Sequence, residues 1–350
     1  MLTAQQRSEF RDRGVLVVPK VVSAERVEIV RAAFHATLRD RFGVDVFRLD
    51  DAESVANLGR ASSTKGAGGI LDLFHEPFQL GLAETPEIVR ILIELWSEMR
   101  DTYSSARLTE GVDYSKALAA VDRVCFRLPD DIAAAAGGEG RKPLQRHLAP
   151  HLDCCPHASA SEVPVKWRPI QCFLALTDSL TPTSGGLEVC PGHHNKFDSW
   201  AAARLPSAAG KPAPCQGEFT PMRPVEDSEV IADMVHVPCR AGDLVLWDNR
   251  IPHSNARCNS NPHAREVVYL KFLPHCDLNR RYVESQVQGL RARSPPSDFW
   301  IGAVRGDKED QEQQQVESAQ VPLQALGQRL FGLKPWEASE SIADFYSTTV

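Results

Sequence analysis

Apolar positions near the start of the chain recur at helical spacing. Val27, Val30, Phe34 and Leu38 stand three or four residues apart, which puts them on one face of a helix opened by Ser23. An earlier helix is predicted from Thr3, a side chain suited to capping, to a stop at Gly14. The run Gly14-Val15-Leu16-Val17-Val18-Pro19 then reads as a short buried strand. Residues 51–75 are polar and rich in glycine, and read as loop. Thr85-Pro86-Glu87 opens a third helix, with proline at its first position and Ile88, Leu92, Leu95, Trp96 and Met99 as its packing face.

From about residue 121 the period changes to short strands. They are predicted at 121–127, 170–176, 186–190, 243–247 and 266–272, with turns at Ser184-Gly185-Gly186 and Pro191-Gly192. Residues 195–240 form a long Ala/Pro/Ser-rich stretch between strands, as expected of a functional lid or an irregular loop. Residues 305–321 are strongly polar, and a short amphipathic helix is expected over 323–333. Helices first and many short strands afterwards predict an α+β chain with a jelly-roll core. The expected layout is a single domain over 1–350: a mainly helical part over 1–120, a jelly-roll core over 121–275 with the insertion 195–240, and a helical or loop extension over 276–350.

Composition narrows the function. A hydrophobic share of 43% supports a buried core, and the net charge of −7 lacks the positive field of a non-specific duplex binder. No nucleic-acid partner is expected, and no apolar run is long enough for a membrane span. The opening MLTAQQRSEFRDRG lacks a secretory leader, and the nine cysteines are an odd number without a C-x-x-C pair. The expected compartment is the reducing cytoplasm.

Candidate chemistry centres on His151-Leu152-Asp153. In a strand, alternate side chains share a face, so His151 and Asp153 project together while Leu152 turns away. An imidazole beside a carboxylate is two thirds of a 2-His-1-carboxylate triad, the ligand set of non-haem Fe(II) oxygenases. His253, just after the strand Asp243–Trp247, is the best candidate for the third ligand. Three ligands on one face of iron leave positions for a chelating 2-oxo acid and for O₂. The far carboxylate of such an acid needs a cation, and Arg265 at the start of the next strand offers a bidentate guanidinium. Each residue taken singly has an ordinary structural reading: a surface histidine, or an arginine in a solvated ion pair.

The order of these features resembles the phytanoyl-CoA dioxygenase family of Fe(II)/2-oxoglutarate oxygenases. The likeness runs from about residue 7 to 275 and includes Phe10–Pro19, the H-x-D at His151, Gly185–His194 and Gly242–His253. It implies a double-stranded β-helix (a cupin-like jelly roll) flanked by N- and C-terminal helices. It implies iron on His151, Asp153 and His253, and 2-oxoglutarate on Arg265. It further implies use of O₂, release of succinate and CO₂, and hydroxylation of a small organic molecule, with ascorbate a candidate reductant. Gln171 and Arg127 are further candidates for the cosubstrate pocket, weighed against a core-edge glutamine and a surface ion pair; Arg257 is the alternative anchor. His193 and His194 read as structural loop residues, His157 as a loop histidine that would face substrate or solvent, and Cys154 and Cys155 as packing residues. Two alternatives stay open: oxidation of a macromolecule, such as a protein side chain or a methylated base, and a non-catalytic jelly roll that senses a metal or ligand. Oligomeric state is not legible.

Overall fold

The computed structural model describes residues 1–102, 111–138, 140–156, 166–204, 218–296 and 323–348. The predicted polar segment 305–321 and His157 lie outside the described residues. Helix α1 (Ala4–Arg13) is capped by Thr3, whose side chain accepts from the Gln6 amide. It ends at Gly14, whose φ of +67° is left-handed. A side chain there is also excluded by space, since a Cβ would fall 2.4 Å from Ile251 Cδ1 and 2.6 Å from His194 Nδ1. Gly14 therefore lets the chain turn from α1 into strand β1 (Val15–Val18) against the loop that leads to His253.

Helix α2 (Ala24–Phe42) buries Val27, Val30, Phe34 and Leu38, as the periodicity predicts. Helix α3 (Pro86–Met99) buries Ile88, Leu92, Leu95, Trp96 and Met99. The region 51–75 departs from the loop reading. It holds a short helix at Ala52–Ala56 and the two-residue strand β2 (Ile70–Leu71). The remaining strands are β3 (Asp113–Ala120), β4 (Val124–Arg127), β5 (His151–Leu152), β6 (Ile170–Ala175), β7 (Leu187–Val189), β8 (Thr220–Pro221), β9 (Val235–His236), β10 (Leu244–Asp248), β11 (His253–Asn255) and β12 (Arg265–His275).

They form two sheets. The larger has the order β1-β10-β6-β12-β4-β2, with β3 also on β12, and the smaller has β8-β5-β11-β7-β9. All named pairings are antiparallel. This is a jelly-roll core with helices at both ends of the chain, and β1, β2 and β3 come from before residue 121. The insertion also differs from expectation. Its described part supplies β8 and β9, so both edges of the smaller sheet come from within 195–240.

Alternation along β12 separates two apolar regions. Val267 and Tyr269 face the space between the sheets with Cys125, Phe173, Val245 and Trp247. Val268, Leu270 and Phe272 face a second core shared with α2 and α3. Glu266, also on that outer side, is buried and fixes α2 in place. Arg31 donates to its two oxygens at 3.2 and 3.3 Å, and His35 Nε2 lies 3.0 Å away. Charge-assisted bonds of this kind contribute about 1.5–3 kcal/mol. Glu266→Ala should therefore lower unfolding stability by about 2 kcal/mol. A denaturant midpoint equal to that of the parent would show that α2 does not depend on this contact.

Candidate metal centre

Strands β5 and β11 lie side by side, with His151 directly opposite His253. The two rings are 4.3 Å apart, centroid to centroid. Leu152 is fully buried, and Asp153 returns to the side of the rings. Asp153 Oδ1 is 3.7 Å from His151 Nε2, and its Oδ2 is 3.5 Å from His253 Nε2. Among the described residues these three form the His/Cys/Asp/Glu group whose ligand atoms all fall within 4.8 Å of one another.

The hydrogen bonds decide which ring nitrogens carry protons. His151 Nδ1 is 2.8 Å from the Ala149 carbonyl, and His253 Nδ1 is 3.1 Å from the Ile251 carbonyl. A carbonyl only accepts, so both Nδ1 atoms are the donors. Both Nε2 atoms then face Asp153, and each is the lone-pair atom of its ring when that ring is neutral. Burial, with the neighbouring His253, pushes His151 down to about 4, which keeps it neutral at pH 7. Burial would raise the Asp153 carboxyl, but the neighbouring His253 and His151 side chains and the Arg168 guanidinium outweigh it and hold Asp153 below the usual carboxylate range. Two imidazole Nε2 atoms and a carboxylate converge, a donor set suited to a cation between them. The rings are held from both sides: Phe219 stacks on His151 at 4.9 Å, and Trp247 packs on His253 at 5.3 Å.

Arg265 opens β12 in register with Arg127 of β4, and both side chains are 1% exposed. The Arg265 guanidinium lies over the Phe173 ring at 5.1 Å and donates from Nη1 to Cys125 Sγ at 3.4 Å. It also bonds Tyr269, whose hydroxyl is pushed up to about 12, chiefly by burial. Its Nε and Nη2 have no partner among the described residues. Arg127 donates from Nη2 to Asp130 at 2.7 Å, and its Nε and Nη1 have no partner among the described residues. Phe173 touches Trp247 at 5.9 Å, so two aromatic rings link the Arg265 pocket to His253. Burying guanidinium donors without acceptors is costly, and a carboxylate in this pocket would satisfy them. Arg257, the alternative anchor, is exposed.

Other candidates fall into place around this centre. Gln171 donates to Asn249 Oδ1 at 2.7 Å, and Asn249 reaches the Asp153 carbonyl at 3.4 Å. Gln171 thus supports the backbone of a candidate ligand through Asn249, which the sequence reading did not single out. His194 Nε2 donates to the Arg11 carbonyl at 2.9 Å and is structural, as expected. Cys154 donates to the Asn249 carbonyl, but Cys155 is disulfide-bonded, against its reading as a plain packing residue. Arg168 was also missed, and its Nη2 lies 3.9 Å from Asp153 Oδ2.

His193 is buried edge-on against Trp200, and its Nε2 has no partner among the described residues. Burial pushes it down to about 4. An unfolded histidine titrates near 6.5, so the unfolded chain binds more protons below that pH. The stability concerned is intact above about pH 6.5 and is lost as pH falls toward 4. His193→Phe should flatten acid-induced loss of stability over this window, measured by urea unfolding at successive pH values. An unchanged slope would remove His193 from the account.

Comparison with known proteins agrees with this geometry. The family model for phytanoyl-CoA dioxygenase (PhyH) matches residues 149–267, and the Gig2-like model matches residues 215–333. The stretch matched by the phytanoyl-CoA dioxygenase model contains His151, Asp153, His253 and Arg265. The match supports an oxygenase-type enzyme. No curated protein matches the chain. Among solved structures, GlcNAc Inducible Gene 2 (DUF1479) from Candida albicans is 14% identical with a TM-score of 0.68, over 97% of this chain and 79% of that one. The hypothetical protein JW0805 from Escherichia coli is 18% identical with a TM-score of 0.65, over 95% and 82%. These two likenesses are of fold.

Proposed function

We propose that the protein is an Fe(II)- and 2-oxoglutarate-dependent dioxygenase that hydroxylates a small organic molecule. The observation that carries this reading is the convergence of the two Nε2 atoms and the Asp153 carboxylate inside a jelly roll. Two imidazoles and a carboxylate suit Fe(II), whereas a thiolate set would suit zinc or an iron–sulfur cluster. His151, Asp153 and His253 would hold the metal. Arg265, with its unpartnered Nε and Nη2, would take the far carboxylate of 2-oxoglutarate.

When bound, iron supplies the activation of O₂, coupled to oxidative decarboxylation of the cosubstrate to succinate and CO₂. The chain's own part is positional. The Ala149 and Ile251 carbonyls fix the two ring tautomers, and Phe219 and Trp247 fix the ring planes. Asn249 and Gln171 steady the Asp153 backbone. The buried apolar wall of Phe173, Val245 and Trp247 keeps bulk water from the pocket. Ascorbate would serve as reductant, and the expected compartment is the cytoplasm.

The test is direct. Fe(II) and 2-oxoglutarate are added to the full chain without oxygen, and the visible charge-transfer band of the chelate is recorded. Air is then admitted and succinate is measured. Failure to bind iron stoichiometrically would overturn the reading. Iron and cosubstrate binding with no succinate in any substrate screen would favour a sensor.

A further inference from the structure

Arg168 occupies the short connection before β6. Its side chain is 11% exposed, with Nη2 3.9 Å from Asp153 Oδ2 and Nη1 3.5 Å from Asp122 Oδ2. Two more cations approach the same Asp122 carboxylate, Lys271 Nζ at 3.7 Å and Arg123 Nε at 4.0 Å. Arg123 immediately precedes β4, Lys271 lies on β12 and Arg168 leads into β6. These strands are neighbours in the larger sheet. Three cations therefore gather at one end of three adjacent strands, and one of them borders the candidate metal ligand.

Arg168 is unlike the structural ion pairs elsewhere in the fold. Arg250 grips Asp248 through donors at 2.8 and 2.9 Å, and Arg31 grips Glu266 at 3.2 and 3.3 Å. Arg168 lies near Asp122 and Asp153 but donates no hydrogen bond among the described residues. The charged groups that face it are Asp153, Asp122 and Glu218, with the neutral Tyr282 hydroxyl nearby. Asp153 belongs to the metal centre, Glu218 accepts from Lys166 at 3.0 Å, and Asp122 is shared among three cations. A mostly buried guanidinium held only by long ion pairs, at 3.5 and 3.9 Å, has donor capacity for further acceptor oxygens.

We infer that the substrate is an anion, carrying a carboxylate or a phosphate monoester. Arg168 binds that group beside the metal, with Arg123 and Lys271 flanking it. The inference rests on the oxygenase reading and adds the substrate class to it. It assigns Arg168 a role in specificity, separate from cosubstrate binding at Arg265.

The experiment uses the full chain loaded with Mn(II) and saturated with 2-oxoglutarate, so that the Arg265 pocket is filled. Butanoate, its neutral counterpart butanamide and inorganic phosphate are titrated separately, and Mn(II)-induced line broadening of each probe is read by NMR. At least one anion should bind saturably, and butanamide should bind at least tenfold more weakly than butanoate or phosphate. Arg168→Met should weaken anion binding at least tenfold, and Arg168→Lys should fall between. Binding of butanoate alone identifies a carboxylate substrate, and binding of phosphate alone identifies a phosphate ester. Equal binding of acid and amide without phosphate binding, or full anion affinity in Arg168→Met, overturns the inference. The oxygen-free Fe(II)/2-oxoglutarate band is recorded in parallel for all three chains. A normal band without anion discrimination overturns the substrate class alone, and a missing band in the parent overturns the oxygenase reading and this inference with it. Should Arg168→Met lack the band, the acid–amide comparison in the parent and Arg168→Lys decides.

Discussion

His253→Ala should bind Fe(II) at least ~100-fold more weakly than the parent and form no succinate, with its far-ultraviolet circular dichroism unchanged. Loss of a group that merely orients a ligand typically costs 10–100-fold in metal affinity, so removal of a ligand itself should cost no less. The fold should tolerate the change for a local reason. His253 makes one bond to the Ile251 carbonyl, packs on Trp247 and lies 3.5 Å from Asp153. Removing the ring costs these local contacts and leaves the backbone pairing of β11 with β5 and β7 in place. His151→Ala should lose iron equally. Stoichiometric Fe(II) retained by either variant, measured by metal analysis after gel filtration, would sink the triad.

Arg265→Met should raise the 2-oxoglutarate concentration for half-saturation about ten- to hundredfold, the loss of a charge-assisted pair of about 1.5–3 kcal/mol. Without metal and cosubstrate, the same variant should melt no lower than the parent. The parent buries a guanidinium with Nε and Nη2 unpartnered, opposite a second buried arginine. Replacing such a charge with an apolar side chain of similar length removes a desolvation cost. The two expectations run in opposite directions, which separates a ligand-binding arginine from a structural one. A control comes from 2-oxobutanoate, which has no far carboxylate. The parent should bind it much more weakly than 2-oxoglutarate, and Arg265→Met should barely distinguish the two. If half-saturation is unchanged in Arg265→Met and rises in Arg127→Met, the anchor is Arg127.

The candidate metal centre was legible because its histidines sit in short strands and Asp153 follows one directly. His151 and Asp153 obey the two-residue period, and His253 follows the apolar strand β10. Helices α1, α2 and α3 were legible from caps and spacing. What escaped was fixed by tertiary contacts. Strand β2 is two residues long and exists through its pairing with β4. Strand β8 contains Pro221 and looks like loop until it lies against His151. Arg168 escaped for a different reason. Alternation back from Ile170 would send it toward the outer core, with Cys172 and Leu174. Pro169 ends the pleat, and Arg168 turns inward to Asp153 and Asp122. Asn249, which links Gln171 to the Asp153 backbone, carries no motif of its own.

The two-residue strand β5 has only two neighbours, β11 on one side and β8 on the other. One of its two residues is a candidate iron ligand, and β8 belongs to the insertion, which also supplies the Phe219 ring stacked on His151. The insertion is therefore not a cassette that a designer could trade between related enzymes to change substrate while leaving the reaction untouched. Any exchange there would rewrite the seat of the proximal histidine, and altered selectivity would arrive together with altered hold on the metal.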